Sequence, residues 1–165
     1  MHTVMPMTHT AIPTFMGPLM VATDGHALTR VWFEDQQHAP AWPGGSTHGE
    51  HPLLRLAAAW IQAHLAGDDP PMDVPLSGAL GTTFQRQVWQ QVSRIPRGQV
   101  RTYAEIAQSL GRPQAARAVG AAIGRNPWLI LVPCHRVVGQ GGQLTGYAAG
   151  LARKQALLQL EGHAH

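Results

Sequence analysis

The spacing of hydrophobic and polar residues predicts a mixed α/β first half. Two β-rich runs lie in GPLMVATDGHALTRVWFEDQ, joined by Asp24-Gly25, a dipeptide typical of tight hairpins. The segment LLRLAAAWIQAHLAG has helical spacing, and Gly67 is expected to end that helix. Between them, QHAPAWPGGSTHGEHP is rich in Pro, Gly and His and is predicted to be a loop. Beyond the helix, MDVPL is predicted to be extended and SGALG to be a domain linker.

The second half is predicted to consist of short, capped helices. Thr82 and Gln85 form a T-x-x-Q capping box, and apolar residues then recur at helical spacing through QVWQQVSRI. Thr102 and Glu105 form a second box, T-x-x-E, which opens the helix YAEIAQSLG. Pro113 suits the first position of a further helix, PQAARAVGAAIG.

These last two helices are separated by a glycine-containing turn and are a helix-turn-helix candidate. The second of them carries one long cation, Arg117, among alanines and glycines. A helix that reads bases in the major groove needs Arg, Asn or Gln at its contact positions. A helix with such small side chains fits a narrow space such as the minor groove. The alternative explanation for its small side chains is close packing against another helix.

The only cysteine lies in LVPCHRVVG, after the hydrophobic run WLILV, which is interpreted as a buried strand. Cys134 is followed by His135 and Arg136, two potential cations that favour a thiolate. A single cysteine excludes an intramolecular disulfide and a multi-cysteine zinc site, and it fits a reducing compartment. On an extended segment, Cys134 and His135 would point to opposite faces, so a bridging water is expected to connect them.

Charge is distributed unevenly along the 165 residues, a length that allows one domain or two small ones. Residues 1–79 hold two cations and seven anions, a net charge of −5, and residues 80–165 hold ten cations and two anions, a net charge of +8. This asymmetry indicates that the second half meets a polyanion. Mutual attraction between the two halves is the other explanation.

No membrane or secretory segment is expected. The first 15 residues have no Lys or Arg, prolines interrupt their apolar run, and no apolar run approaches the length of a membrane span. We therefore expect a cytoplasmic protein. Seven of the ten histidines lie in the first half without metal-ligand spacing, so they are interpreted as solvated, and neither a metal nor a cofactor is predicted.

The second half resembles the O6-alkylguanine-DNA alkyltransferases, also called methylated-DNA–protein-cysteine methyltransferases. The matching segments, in family order, are GTTFQRQVW, IPRGQVRTYAEIA, RAVGAAIGRNP, VPCHRVVG and LTGYAAGLARKQALLQLEG. GPLMVATDGHALTRVWFED is a looser match to the ribonuclease-H-like domain of this family. The resemblance implies an α+β fold with a ribonuclease-H-like α/β domain over residues 1–78. A mainly α-helical helix-turn-helix domain for DNA binding and alkyl transfer would occupy residues 79–165.

The resemblance also implies a single-use repair reaction. The cysteine at position 134 would take the alkyl group from O6-alkylguanine in DNA, after the base is flipped out of the duplex. A water would relay between Cys134 and His135, and Glu161 would orient the histidine. Tyr103 would contact the flipped base and supply a proton to the leaving guanine. The implied partner is double-stranded DNA bound through its minor groove by a monomer, with O4-alkylthymine as a second substrate and cooperative binding left open.

Further roles follow from the same resemblance. Arg117 would fill the space left by the flipped nucleotide. The remaining residues implied in DNA binding are Ala116, Gly120 and Arg136. Those implied in the substrate pocket are Asn126, which braces the turn around the cysteine, the Val137 carbonyl, Tyr147, Ala148 and Lys154. Trp128 and Leu129 are bulkier than their counterparts in some relatives, so large adducts are expected to transfer more slowly than methyl.

Three other functions are alternatives to this one. A non-catalytic alkyltransferase-like damage sensor lacks the cysteine that this chain has. A cysteine hydrolase would need its histidine across the site from the thiol rather than next to it in the chain. A helix-turn-helix regulator would need a second helix better equipped for base readout.

Overall fold

The protein, seen in a computed structural model, has an α+β fold described here for residues 6–36 and 46–163. Contacts between residues divide the chain into two compact units, with Ala79 ending the first and Leu80 beginning the second. No helix of the described residues combines the length and the apolarity needed to cross a membrane.

The first unit is a four-stranded sheet with one helix. Strands β1 (Thr8–Ile12), β2 (Leu19–Thr23) and β3 (Leu28–Phe33) are antiparallel neighbours, β4 (Thr47–His48) pairs in parallel with β1, and helix α1 (Pro52–Leu65) packs against β1 and β2.

The predicted hairpin between β2 and β3 is confirmed. The Asp24 carboxylate accepts hydrogen bonds from the backbone N–H groups of His26 and Ala27, at 2.8 and 3.1 Å. Gly25 has a φ of 95°, a conformation that glycine adopts without strain.

Other expectations for the first unit need correction. Strand β1 was not predicted, and Thr47 and His48 form β4 where a loop was expected; residues 37–45 of that predicted loop lie outside the described residues. His64 is buried and its ring stacks on Trp60 at 5.2 Å, so it is not a solvated histidine. A short edge strand and a buried histidine depend on distant partners, which a local pattern does not contain.

The described residues of the second unit form four α-helices, two one-turn 3-10 helices and a two-stranded parallel sheet. The α-helices are α2 (Thr83–Ser93), α3 (Tyr103–Ser109), α4 (Ala116–Gly124) and α5 (Leu151–Leu160). The strands are β5 (Arg101–Thr102) and β6 (Val137–Val138). The helices α2 and α3 both pack against α4.

Two of the three predicted helix N-termini in this unit are confirmed. Both capping boxes form, with the Thr82 and Thr102 hydroxyls accepting from the N–H groups of Gln85 and Glu105 at 3.1 and 3.0 Å. The prediction that Pro113 begins a helix is wrong, since α4 begins three residues later. Residues 112–115 form a turn instead, closed by the hydrogen bond from the Ala115 N–H to the Arg112 carbonyl at 2.9 Å.

The segment before the cysteine is not the predicted strand. Trp128, Leu129, Ile130, Leu131 and Val132 are all buried, but Ile130 has a φ of 72°, which breaks an extended backbone. A one-turn 3-10 helix, Cys134–Arg136, follows directly. The hydrophobic run is therefore a buried segment without regular secondary structure. Tertiary packing holds Ile130, a β-branched residue, in a left-handed conformation that such residues rarely adopt.

Candidate active site

A cavity of about 340 Å³ opens beside the single thiol. Its volume falls within the roughly 300–1,000 Å³ typical of small-molecule pockets. Residues from α3, α4, the segment around the cysteine and the loop before α5 form its wall, namely Tyr103, Gly120, Ile123, Gly124, Leu129, Cys134, Gly146, Tyr147 and Ala148.

The Cys134 sulfur is buried, with 2% of the residue exposed, and is held by α4 and the segment that follows it. The Asn126 side-chain amide donates to Sγ at 2.6 Å, and the thiol faces the Ile123 carbonyl at 3.7 Å. The same amide nitrogen donates to the Val132 carbonyl at 3.0 Å, while the amide oxygen accepts from the Trp128 N–H at 2.9 Å. Asn126 therefore ties the sulfur to the backbone on its N-terminal side.

Burial raises the pKa of the Cys134 thiol from 9.0 to about 12. Desolvation is the largest cause, because a thiolate loses its hydration in the interior. The Asn126 hydrogen bond and the charge of Lys154 act in the opposite direction and favour the thiolate. The resting site therefore holds a neutral thiol, and Lys154 supplies a charge that favours the thiolate, a role that the sequence assigned to His135 and Arg136.

Lys154 lies on α5 and is almost fully buried. Its ammonium donates to the Val137 carbonyl at 2.7 Å and to the Thr145 carbonyl at 3.0 Å. Desolvation lowers the pKa of Lys154 to about 8, with the cysteine acting in the opposite direction. Neither Lys154 nor Val137 is among the residues that line the cavity; together they support its wall.

His135 and Arg136 both bind Glu161, the residue that ends α5. His135 Nε2 lies 2.7 Å from Glu161 Oε2, and the Arg136 guanidinium donates to both carboxylate oxygens, at 2.8 and 3.0 Å. All three residues are buried. The two partners offset the unfavourable position of a carboxylate at the negative end of a helix dipole.

This arrangement does not favour the predicted contact between Arg136 and DNA. The Arg136 side chain is only 9% exposed, and its third hydrogen bond goes to the Ile95 carbonyl at 2.7 Å. Three of the five N–H donors of the guanidinium are bonded inside the protein, and the burial of the side chain keeps it from a phosphate outside. Its charge instead compensates that of Glu161.

Two tyrosines lie in the wall of the cavity. The Tyr103 hydroxyl is 2.7 Å from the Thr145 hydroxyl. The Tyr147 ring meets His135 edge-on at 6.4 Å, and burial raises the pKa of its hydroxyl well above 10. Ala148 lies beside Tyr147 in the same wall. Of the five predicted pocket residues, Tyr147 and Ala148 line the cavity, Asn126 bonds the sulfur, and Val137 and Lys154 lie behind the wall.

Helix α4 carries mostly small side chains. Arg117 is exposed on it, Ala116 is half-buried, and Gly120 faces the Tyr103 ring in the cavity wall. A side-chain carbon at Gly120 would lie 3.7 Å from that ring, an ordinary contact distance, so the glycine is not there to avoid a clash. Its absence of a side chain leaves room in the cavity.

Two further residues take part in the site and are not indicated by any motif in the sequence. Thr145 contacts Tyr103, and the Ile95 carbonyl anchors Arg136. Thr145 lies 42 residues from its partner, and Ile95 lies 41 residues from Arg136, so no local pattern indicates either contact.

Comparison with known proteins agrees with this geometry. The family model described as "6-O-methylguanine DNA methyltransferase, DNA binding domain" matches residues 83–163. The methylated-DNA–protein-cysteine methyltransferase of Mycobacterium leprae is 45% identical over 148 residues, covering 90% of this chain and 88% of that protein. The protein of the same name from Methanosarcina acetivorans is 44% identical over 147 residues, covering 89% and 93%.

Solved structures show the same similarity. Mycobacterium tuberculosis O6-methylguanine methyltransferase is 41% identical with a TM-score of 0.85, covering 96% of this chain and 95% of that one. Mycobacterium tuberculosis OGT in complex with DNA is 42% identical with a TM-score of 0.82, covering 93% and 92%.

A buried thiol beside a ligand-sized cavity, on a DNA-binding domain, defines a cysteine-dependent DNA-repair transferase. The chain belongs to the methylated-DNA–protein-cysteine methyltransferase family, whose reaction is direct-reversal repair by alkyl transfer.

Proposed function

We propose that Cys134 takes the alkyl group from O6-alkylguanine in DNA, once per protein molecule. The observation that carries this proposal is the position of the sulfur, in the wall of a cavity that α4 and two tyrosines also line. The adducted base enters this cavity and places its alkyl carbon against Sγ. O4-alkylthymine, which is smaller, remains a second candidate substrate.

Transfer requires a thiolate, since the neutral thiol is a weak nucleophile. The Cys134 proton leaves through a water to His135, which Glu161 holds in place. The thiolate then forms the S–C bond while the C–O6 bond breaks, and the bonding electron pair moves to guanine. Tyr103 donates the proton that neutralises the departing base. The Asn126 amide and the Lys154 charge stabilise the thiolate meanwhile.

The reaction ends after one transfer because its product is a thioether. The alkyl carbon of a thioether lacks the carbonyl that lets water release an acyl group, and an alkyl thiolate is a poor leaving group. No second cysteine exists in the chain to accept the group. The presence of Cys134 argues against a non-catalytic damage sensor.

Delivery of the base to the cavity requires that it leave the duplex, because its reactive carbon is otherwise enclosed in the stack. We assign this step to α4, entering the minor groove as the second helix of a helix-turn-helix formed with α3. Arg117 fills the vacated stack, and the small side chains at Ala116 and Gly120 permit close approach. Binding is by a monomer, and cooperativity on DNA is left open.

The first unit is proposed to be ribonuclease-H-like, with residues 1–78 and 79–165 as the two domains. The Val137 carbonyl, which has one lone pair beyond its bond to Lys154, is proposed to accept from the guanine amine. The cytoplasmic location stays a prediction.

Intact-protein mass spectrometry after incubation with duplex DNA containing one O6-methylguanine tests the function. Cys134 should gain the mass of one methylene, and methyl transfer should stop at about one equivalent of protein. The matched control is Cys134→Ala, which should gain no mass and still bind the DNA. Repeated turnover with an unmodified Cys134 would refute the mechanism.

A further inference from the structure

We propose that Thr145 positions the Tyr103 hydroxyl so that its proton points into the cavity, toward the departing base. The inference rests on the proposed function and deepens it. It assigns a role to the contact between these hydroxyl groups, which are 2.7 Å apart. Thr145 touches no reacting atom in this proposal; it acts through Tyr103.

Thr145 is itself held from three sides. Its carbonyl accepts from the buried Lys154 ammonium at 3.0 Å. Its methyl group lies against Gly139, where a side-chain carbon would come within 3.0 Å of it. The Gly139 N–H also closes the loop before Thr145 by donating to the Gln143 carbonyl at 2.8 Å. The Thr145 hydroxyl therefore has a defined position, set by the backbone and by packing.

The direction of this hydrogen bond follows from the chemistry that Tyr103 performs. A phenol has one proton, and it can reach a base in the cavity only if the proton is not already donated to Thr145. When Thr145 donates instead, the phenol oxygen acts as the acceptor and its own proton is left for the base. The same donor stabilises the phenolate that forms as the proton moves to guanine. The phenolate regains a proton from solvent once the base has left.

A spectroscopic experiment tests the contact without any reaction. The chain has two tyrosines, so tyrosine labelled with ¹³C at Cζ gives two signals, which Tyr103→Phe assigns. Thr145→Val keeps the shape of the side chain but removes its hydroxyl, and should shift the Tyr103 signal while the Tyr147 signal stays in place. Thr145→Ser keeps the hydroxyl and should restore the Tyr103 signal. An unmoved Tyr103 signal in Thr145→Val would overturn the proposal.

A double-mutant cycle tests the role in catalysis. Thr145→Val should slow single-turnover methyl transfer from O6-methylguanine in duplex DNA about five-fold, and Thr145→Ser should recover most of that loss. In a Tyr103→Phe background, Thr145→Val should change the rate less than about two-fold, because the group it acts on is gone.

The alternative outcomes are distinct. Equal losses in both backgrounds would show that Thr145 only supports the loop, and would overturn the positioning role. A wild-type protein that transfers no methyl group would refute the proposed function, and this inference with it. If the wild-type protein transfers the methyl group but the effect of Thr145→Val is the same with and without the Tyr103 hydroxyl, the inference about Thr145 is refuted and the proposed function is not.

Discussion

The side-chain amide of Asn126 donates to the Cys134 sulfur at 2.6 Å, inside the protein and away from water. This hydrogen bond is the largest of the effects that lower the pKa of the thiol, and it opposes a larger effect of burial. The site is thus built to keep the sulfur protonated at rest and to stabilise the thiolate once it forms.

The pH dependence of thiol reactivity should reflect this burial. With the pKa of Cys134 raised from 9.0 to about 12, the thiol form persists to higher pH than in an unfolded chain. Iodoacetamide labelling of the native protein should still be rising at pH 10, whereas the urea-unfolded chain should approach a plateau. Since the chain has one cysteine, mass spectrometry reads the rate directly.

Asn126→Ala provides the matched variant for that experiment. Loss of the donor removes a group that lowers the pKa, so thiolate should form less readily and methyl transfer should slow by about ten-fold. A labelling curve of the native wild-type protein that levels off at the same pH as that of the unfolded chain would contradict the assigned burial effect.

Glu161→Gln should destabilise the protein and slow transfer without changing its stoichiometry. The substitution leaves the buried Arg136 guanidinium without its carboxylate, a loss that costs about 3–5 kcal/mol in comparable buried pairs. It also changes the partner of His135. Urea unfolding measures the first effect, and single-turnover kinetics with mass spectrometry measure the second.

Glu105→Gln is the control for that substitution. Glu105 is exposed and accepts from the Thr102 N–H in a capping box, a position that glutamine fills equally well. Its effect on unfolding should be small. A Glu161→Gln protein as stable as Glu105→Gln would show that the Arg136 charge does not depend on Glu161.

Arg117→Ala should weaken repair of duplex DNA more than repair of single strands. A side chain that fills a vacated stack matters only where a stack exists, and Arg117, proposed for this role, is exposed on α4. Arg125→Ala removes an equal charge from the exposed residue that ends the same helix. Single-turnover rates are measured on duplex and on single-stranded DNA. Arg117→Ala should lower the duplex rate more than the single-strand rate, whereas Arg125→Ala should lower both by the same factor. If the ratio of the duplex rate to the single-strand rate is the same for the two variants, Arg117 does not have this role.

Tolerance of large adducts should depend on Leu129 rather than on Trp128. Both were expected to narrow the pocket, but only Leu129 is among the residues that line the cavity. Leu129→Ala should raise the rate of benzyl transfer relative to methyl transfer, measured by competition between O6-benzylguanine and methylated DNA. An unchanged ratio would contradict this assignment.

Trp128 should instead affect stability. Its ring packs edge-on against Trp89 at 5.7 Å, and Trp89 in turn donates to the Ala122 carbonyl of α4 at 2.8 Å. Trp128→Ala should therefore lower the free energy of unfolding by roughly 3–5 kcal/mol, and serves as the structural comparison for Leu129→Ala.

Much of this protein was determined by short stretches of its sequence. The capping boxes at Thr82 and Thr102 begin helices because the side chain and the backbone N–H that it caps are three residues apart. The Asp24-Gly25 turn forms for the same reason, since its hydrogen bonds close over two or three residues. The motif around Cys134 identified the family, because its reactive residues are adjacent in the chain.

Only the tertiary structure decided how those residues are used. Arg136 faces Glu161, 25 residues away, rather than DNA, because a buried carboxylate needs a compensating charge. The hydrophobic run at 128–132 became an irregular core segment, since packing outweighed its β propensity at Ile130. Thr145 meets Tyr103 across 42 residues, a contact that exists only when the loop before α5 has packed against α3. Local hydrogen bonds are encoded by spacing, whereas burial and long-range partners depend on how the whole chain folds.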